Sequence, residues 1–307
     1  MKTILPEDLG HKERHQLLLS GVAPRPIAFI STLSEDGVAN LSPYSFFNAF
    51  ASKPPIVAIG PAIAARTGQP KDTWLNILAT KECTISAVSH SMVQRMNVTA
   101  APYPPEVDEF VKGGFTKAES SIVKPSYVAE SPYAMECKLM ENIELRRDIG
   151  GNGNIMLLEV VAFHVSDSVL VDGKVDPGRM DLVGRMGFSH YTTTKNRFEA
   201  GQPTKPCIGM DELPEHIRTS EILSANDIAK LAYVPVLPML DGSFPQFDDT
   251  VAADSIEIEL AAQNPDGALF VLLNEGKQHM RPLRHMIAKE YIRQDRIDEA
   301  WQTLLLE

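Results

Sequence analysis

The sequence predicts a mainly β fold with short helices and a partly helical C-terminal extension, and three observations carry that prediction. Apolar, β-rich runs recur through residues 1–200, each closed by Gly, Pro or polar turn residues. One segment, Lys71 to Thr80, breaks this pattern with helical spacing. Beyond about Glu199 the strand pattern stops, and later apolar residues recur near helical intervals.

In chain order, Pro26 to Thr32 is a strand, and Ser34-Glu-Asp-Gly37 supplies the Asp-Gly step of a tight hairpin into Val38 to Ser42. Ile56 to Gly60 and Cys83 to Ser89 are further strands. Between them the helix at Lys71 starts with Asp72 or Thr73 as its cap and puts Trp74, Ile77 and Leu78 on one face. His90 to Ala101 is a weaker helical stretch that stops before Pro102, Pro104 and Pro105. Tyr133 to Glu144 and Asn154 to Ser166 are long strands joined by the turn Gly150 to Gly153, and Val169 to Val175 is a hairpin around Asp172-Gly173. Gln202 to Pro206 reads as a linker, so the division expected is 1–200 and 201–307. In the second part Ser224 to Ala232 is a helix, Val234 to Pro245 is proline-rich, and Arg281 to Leu305 forms a helical hairpin through Leu283, Ile287, Tyr291, Ile297 and Trp301.

The balance of 40 acidic against 29 basic residues, net charge −11, speaks against nucleic acid as a principal partner. No apolar run reaches the roughly 18 residues of a membrane span, and no signal peptide is apparent, so the expectation is a soluble cytoplasmic protein without a membrane partner. Cys83, Cys137 and Cys207 are neither a disulfide framework nor a CxxC site. No HExxH, GxSxG, P-loop or GxGxxG motif is present, and no metal site or catalytic side chain stands out. His11, His15, His279 and His285, and the pairs Asp108-Glu109 and Asp248-Asp249, read as solvated charges at turns or helix starts.

Three segments have the chemistry of a binding site. Ser42, Pro43, Tyr44, Ser45, Phe46, Phe47 and Asn48 combine hydroxyls and an amide with aromatic rings, a mixture suited to a flat heteroaromatic ligand and equally to a polar loop anchored by its phenylalanines. Lys71, Asp72 and Thr73 open a helix whose free N–H groups, ammonium and hydroxyl suit a phosphate, with Arg66 and Thr67 just upstream. Plain helix capping is the alternative there. Arg185-Met-Gly-Phe-Ser-His-Tyr191 sets an arginine, a histidine and a tyrosine around a glycine.

Taken in order, Pro24 to Thr32, Gly37 to Asn48, Lys53 to Val57, Lys71 to Thr73 with Asn76, Val107 to Phe110, Ser131 to Cys137 and Arg185 to Tyr191 resemble the flavin reductase-like family, the FMN-binding split β-barrel proteins that include flavoredoxins. The resemblance implies a Greek-key split barrel that dimerises and binds one FMN per subunit near the subunit interface. It also implies that Ser42 to Asn48 lie along the isoalloxazine and ribityl chain, with Ser31 and Thr32 close by. Arg66, Lys71 and Thr73 would meet the phosphate near Asn76, and His190 and Tyr191 would approach the ring. The implied activity is NAD(P)H-dependent flavin reduction, with NADH or NADPH as co-substrate; the alternative is an FMN electron carrier serving a redox partner protein. Two departures from the family pattern stand out. Glu82 to Ser86 carries Cys83 and Ser86 where an aromatic and an asparagine are common, and the bulky Phe188 and His190 replace a glycine pair, which would narrow the substrate side.

Overall fold

The computed structural model describes residues 1–61, 63, 68–145, 153–247 and 253–306. Arg66, Thr67, Asp248, Asp249 and most of the turn expected at Gly150 to Gly153 lie outside the described residues. The chain forms two compact units, Met1–Phe198 and Glu199–Glu307.

The first unit is built on a seven-stranded antiparallel sheet. Its strands are β1 (Ala28–Leu33), β2 (Ala39–Tyr44), β3 (Phe47–Ser52), β4 (Pro55–Ile59), β5 (Glu82–Ser86), β6 (Tyr133–Glu144) and β7 (Asn154–Val165), in the spatial order β2-β1-β5-β6-β7-β4-β3. The strands consecutive in sequence, β2 and β3, are therefore the two edges of the sheet. The break falls at Ser45 and Phe46, inside the segment singled out for its site chemistry. Register shifts at Glu136/Cys137 and Leu139/Glu141 in the long β6–β7 ladder supply the local bends that a strongly curved sheet needs.

Because side chains alternate along a strand, β1 feeds two cores. Ala28 and Ile30 join Val57, Ile59, Ile85 and Leu158 on one face, while Phe29 joins Leu41, Met96 and Phe110 on the other. Helix α2 (Asp72–Thr80) inserts Trp74 and Ile77 into the first core, each burial contributing on the order of 2 kcal/mol. Helices α3 (Val93–Thr99) and α4 (Glu109–Gly113) contribute to the second. Cys83 and Cys137, far apart in sequence, are directly opposed on β5 and β6, both buried as free thiols.

Most strand and helix positions follow the sequence expectation, but strand β3 falls where no strand was expected, and other points differ. Helix α1 (His11–Gly21) occupies a stretch where no helix was expected; it has no buried residue, so no apolar stripe marks it. Lys71, not Asp72 or Thr73, holds the cap position of α2, and it makes no side-chain cap bond. Glu109 is buried rather than solvated. His285 is also buried, its Nδ1 bonded to Ser220 Oγ at 2.7 Å, because its helix turns that face into an apolar core.

The second unit is helical: α5 (Ala225–Leu231), α6 (Ile256–Ala261), α7 (Pro265–Asn274), α8 (Arg281–Arg293) and α9 (Ile297–Leu305). The last two form the expected hairpin, whereas α6 and α7 were not foreseen. The core centres on Trp301, Tyr291, Leu231, Leu269 and Leu272, and Trp301 Nε1 donates to the Leu231 carbonyl at 3.1 Å.

Candidate functional site

Strand β2 and the start of α2 form the two walls of a cavity of about 370 Å³. Asn40, Ser42 and Tyr44 line it from β2, and Lys71, Asp72 and Thr73 from α2. Tyr103 and Glu109 close the far side. A second cavity of about 240 Å³ shares Tyr44 and Ala100 with the first and is bounded by Pro43, Ser45, Asn97, Arg185 and Tyr191.

The α2 end of this cleft has the makings of an anion seat. The backbone N–H groups of Asp72 and Thr73 find no acceptor among the described residues, since the first helical bonds run from Trp74 and Leu75 to the Lys71 carbonyl. Lys71 is exposed at the rim and forms no ion pair among the described residues. Free N–H groups, the positive end of the helix dipole and an ammonium together favour a phosphate. The Tyr44 hydroxyl is buried close to the Thr73 and Ser42 side chains without a hydrogen bond of good geometry among the described residues, and burial pushes its pKa up to about 12, so it stays a phenol.

Below the seat runs a buried polar chain. The Thr73 hydroxyl donates to Asn40 Oδ1 at 2.7 Å, Asn40 Nδ2 donates to Glu109 Oε1 at 3.0 Å, and the Leu41 N–H donates to Glu109 Oε2 at 2.9 Å. Burial raises the Glu109 pKa, opposed by these hydrogen bonds. The chain fixes the Asn40 amide orientation and ties α4 and α2 to β2. Asn40 and Glu109 were missed in the sequence because their pairing spans 69 positions and no local pattern announces it. Alongside, Asn76 Nδ2 donates to Thr32 Oγ1 at 3.0 Å. Ser31 and Thr32 are fully buried behind the cleft wall and line none of the cavities described.

At the other end Arg25 is a structural hub. Its guanidinium donates to the Leu19 carbonyl at 2.7 Å, to the Met186 carbonyl at 3.0 Å, to Ser45 Oγ at 3.3 Å and to the Val22 carbonyl. It thereby ties the end of α1 and the Ser45 loop to a hairpin of strands β8 (Val183–Arg185) and β9 (Tyr191–Thr193). Arg185 lies over the Tyr191 ring at 4.5 Å, and Tyr191 donates its hydroxyl hydrogen to Asn97 Oδ1 at 2.8 Å. His190 and Phe188 are exposed at the hairpin tip, and neither lines either cavity.

The segment Ser42 to Asn48 is thus divided between surfaces. Ser42, Pro43, Tyr44 and Ser45 face the cleft, whereas Ser45 also joins Phe46, Phe47 and Asn48 on a separate, largely apolar groove of about 470 Å³ that includes Phe50. Among the described residues no group of three or more His, Cys, Asp and Glu side chains could hold a metal ion, and no helix is long and apolar enough to cross a membrane.

Comparison with known proteins decides the family. The family model described as "Flavin reductase like domain" matches residues 20–177. The chain belongs to this family. It is a flavin reductase-like oxidoreductase with a split β-barrel fold. Its first unit is similar to the crystal structure of nitrilotriacetate monooxygenase component B from Bacillus cereus, with 29% identity, TM-score 0.62, and coverage of 65% of this chain and 98% of that one. It is also similar to 2-nitrobenzoate 2-nitroreductase NbaA from Pseudomonas fluorescens, at 26% identity and TM-score 0.57 over 66% of this chain and 97% of that one. A flavin reductase-type protein from Shewanella frigidimarina with a split barrel domain matches at 25% identity and TM-score 0.55, over 64% and 96%. The family match ends at residue 177, so the helical unit lies beyond it.

Proposed function

We propose that the protein is an FMN-dependent, NAD(P)H-oxidising flavin reductase, with FMN held in the joined cavities between β2 and α2. The observation that carries this reading is the N–H pair of Asp72 and Thr73, without an acceptor among the described residues, beside Lys71 and lining one cavity with the buried Tyr44 hydroxyl. That donor set fits a phosphate monoester and a polar chain, and the second cavity continues from it past Pro43 and Ser45.

In this reading Lys71 and the α2 N–H groups hold the phosphate, Ser42 and Tyr44 contact the ribityl chain, and Pro43, Ser45 and Tyr191 border the ring. The Glu109–Asn40–Thr73 chain acts at one remove by keeping the start of α2 fixed against β2. Arg25 does the same for the Ser45 loop. When bound, the flavin supplies the hydride and electron chemistry, so the protein has only to bind, orient and shield it. The exposed apolar groove around Phe46, Phe47 and Phe50 beside the unpaired β3 edge supports a homodimer built on that face.

Steady consumption of NADH or NADPH on adding flavin, absent without protein, is the expected result. The exposed Phe188, 64% accessible at the mouth hairpin, favours a second reading in which a redox partner protein docks there and no nicotinamide is oxidised. Retained flavin that neither nucleotide reduces would select that reading.

A further inference from the structure

The Arg25 and Arg185 backbones bond to each other, Arg25 N–H to the Arg185 carbonyl at 2.9 Å and Arg185 N–H to the Arg25 carbonyl at 2.8 Å, so the two residues lie side by side, Arg185 on the second cavity and Arg25 on the neighbouring groove. Neither meets a carboxylate among the described residues. Among the described residues, every side-chain hydrogen bond they make goes to a neutral carbonyl or hydroxyl. The charge of Arg185 helps to lower the Arg25 pKa, behind the larger effect of burial. In a chain of net charge −11, two adjacent cations with no acidic partner among the described residues make the Arg185 side of the second cavity a local positive spot.

The two arginines differ in what they can reach. Arg25 is buried and its donors are occupied. Arg185 borders the second cavity, and among the described residues its only side-chain hydrogen bond is from Nη2 to the Phe188 carbonyl at 2.7 Å, which leaves the rest of its fork of donors without a partner there. Its orientation is set in advance, because it lies on the Tyr191 ring, and that ring is held by Asn97. A preorganised guanidinium edge beside an aromatic face matches a planar ligand that carries an oxyanion.

We propose that the Arg185 side of the second cavity is an anion-recognising substrate subsite, in which Arg185 takes the carboxylate or phosphate of a planar ligand stacked on the flavin ring that Pro43, Ser45 and Tyr191 border. The reaction served rests on the flavin reading above; the anion site does not. The shared chemistry is an oxyanion, supplied either by an acidic aromatic acceptor or by the phosphates of the nicotinamide donor.

The test is calorimetric titration of the full chain with benzoate, its neutral isostere benzamide, and ADP-ribose, repeated on Arg185→Gln and Arg185→Lys. The expected result is benzoate binding at least about 10-fold tighter than benzamide, lost in R185Q and largely kept in R185K. If R185Q weakens ADP-ribose instead, the subsite stands and belongs to the donor. Equal binding of benzoate and benzamide together with unchanged ADP-ribose binding in R185Q would overturn it. Visible spectra of the same samples separate the two readings: charge-selective binding in a protein that takes up no flavin would leave the anion site standing and remove the flavin reductase.

Discussion

The Thr73 hydroxyl donates to Asn40 Oδ1 across 2.7 Å, joining the first turn of α2 to strand β2 at the floor of the cleft. Both residues are buried at the cavity wall. Thr73→Val keeps the shape and leaves the Asn40 oxygen unpaired, which costs about 1–3 kcal/mol. Chemical denaturation of the wild type and T73V is the check. Flavin affinity falls with it, because α2 loses its anchor beside the phosphate seat.

Lys71 separates phosphate recognition from ring recognition. It is exposed and unpaired among the described residues, so Lys71→Ala leaves folding unchanged. A lost charge-assisted contact of ~1.5–3 kcal/mol weakens FMN about 10- to 100-fold. Riboflavin, which has no phosphate, binds K71A and wild type alike in a fluorescence titration. Equal losses for both ligands would place the phosphate elsewhere.

The sequence made one end of the cleft readable and hid the other. The α2 start and the Ser42 to Asn48 segment are local patterns, a helix opening at a polar triad and an aromatic, hydroxyl-rich turn, and both reach the cleft. Glu109 follows Asp108, whose carboxylate caps α4 through the Phe110 N–H at 2.9 Å, so the pair has the sequence of an ordinary surface helix start. Only the packing of α4 against β2 makes it a buried acid. Arg25 is equally silent, since its partners come from α1, the β2–β3 link and a hairpin more than 150 residues away. The paired thiols of Cys83 and Cys137 likewise needed the β5–β6 register. Periodicity reports which face is apolar; it does not report which distant polar group that face will meet.

His285 gives the helical unit a pH dependence. Burial, together with the positive His216, Arg284 and Arg281 around it, lowers its pKa from 6.5 to about 4. The unfolded chain therefore takes up a proton before the folded unit does. Stability contributed by neutral His285 is fully present above pH 6.5 and is lost as the pH falls toward about 4. Thermal unfolding of the wild type and His285→Gln across this range is the check, with a flatter profile expected in the variant.

Trp301 tests whether residues 199–307 fold as a unit of their own. It is 1% exposed at the centre of the helical core and donates to the Leu231 carbonyl. Trp301→Ala removes about 3–5 kcal/mol. Two unfolding transitions are expected in calorimetry, with only one lowered by W301A and flavin binding retained. A single transition shifted as a whole would show that the two units unfold together.

The most direct test of the central claim is the visible spectrum of the purified protein after incubation with FMN and removal of the excess, followed by anaerobic addition of NADH and then NADPH. The account predicts a retained flavin spectrum that one or both nucleotides bleach promptly. A colourless protein that takes up no FMN would contradict the assignment of the β2–α2 cleft as a flavin site.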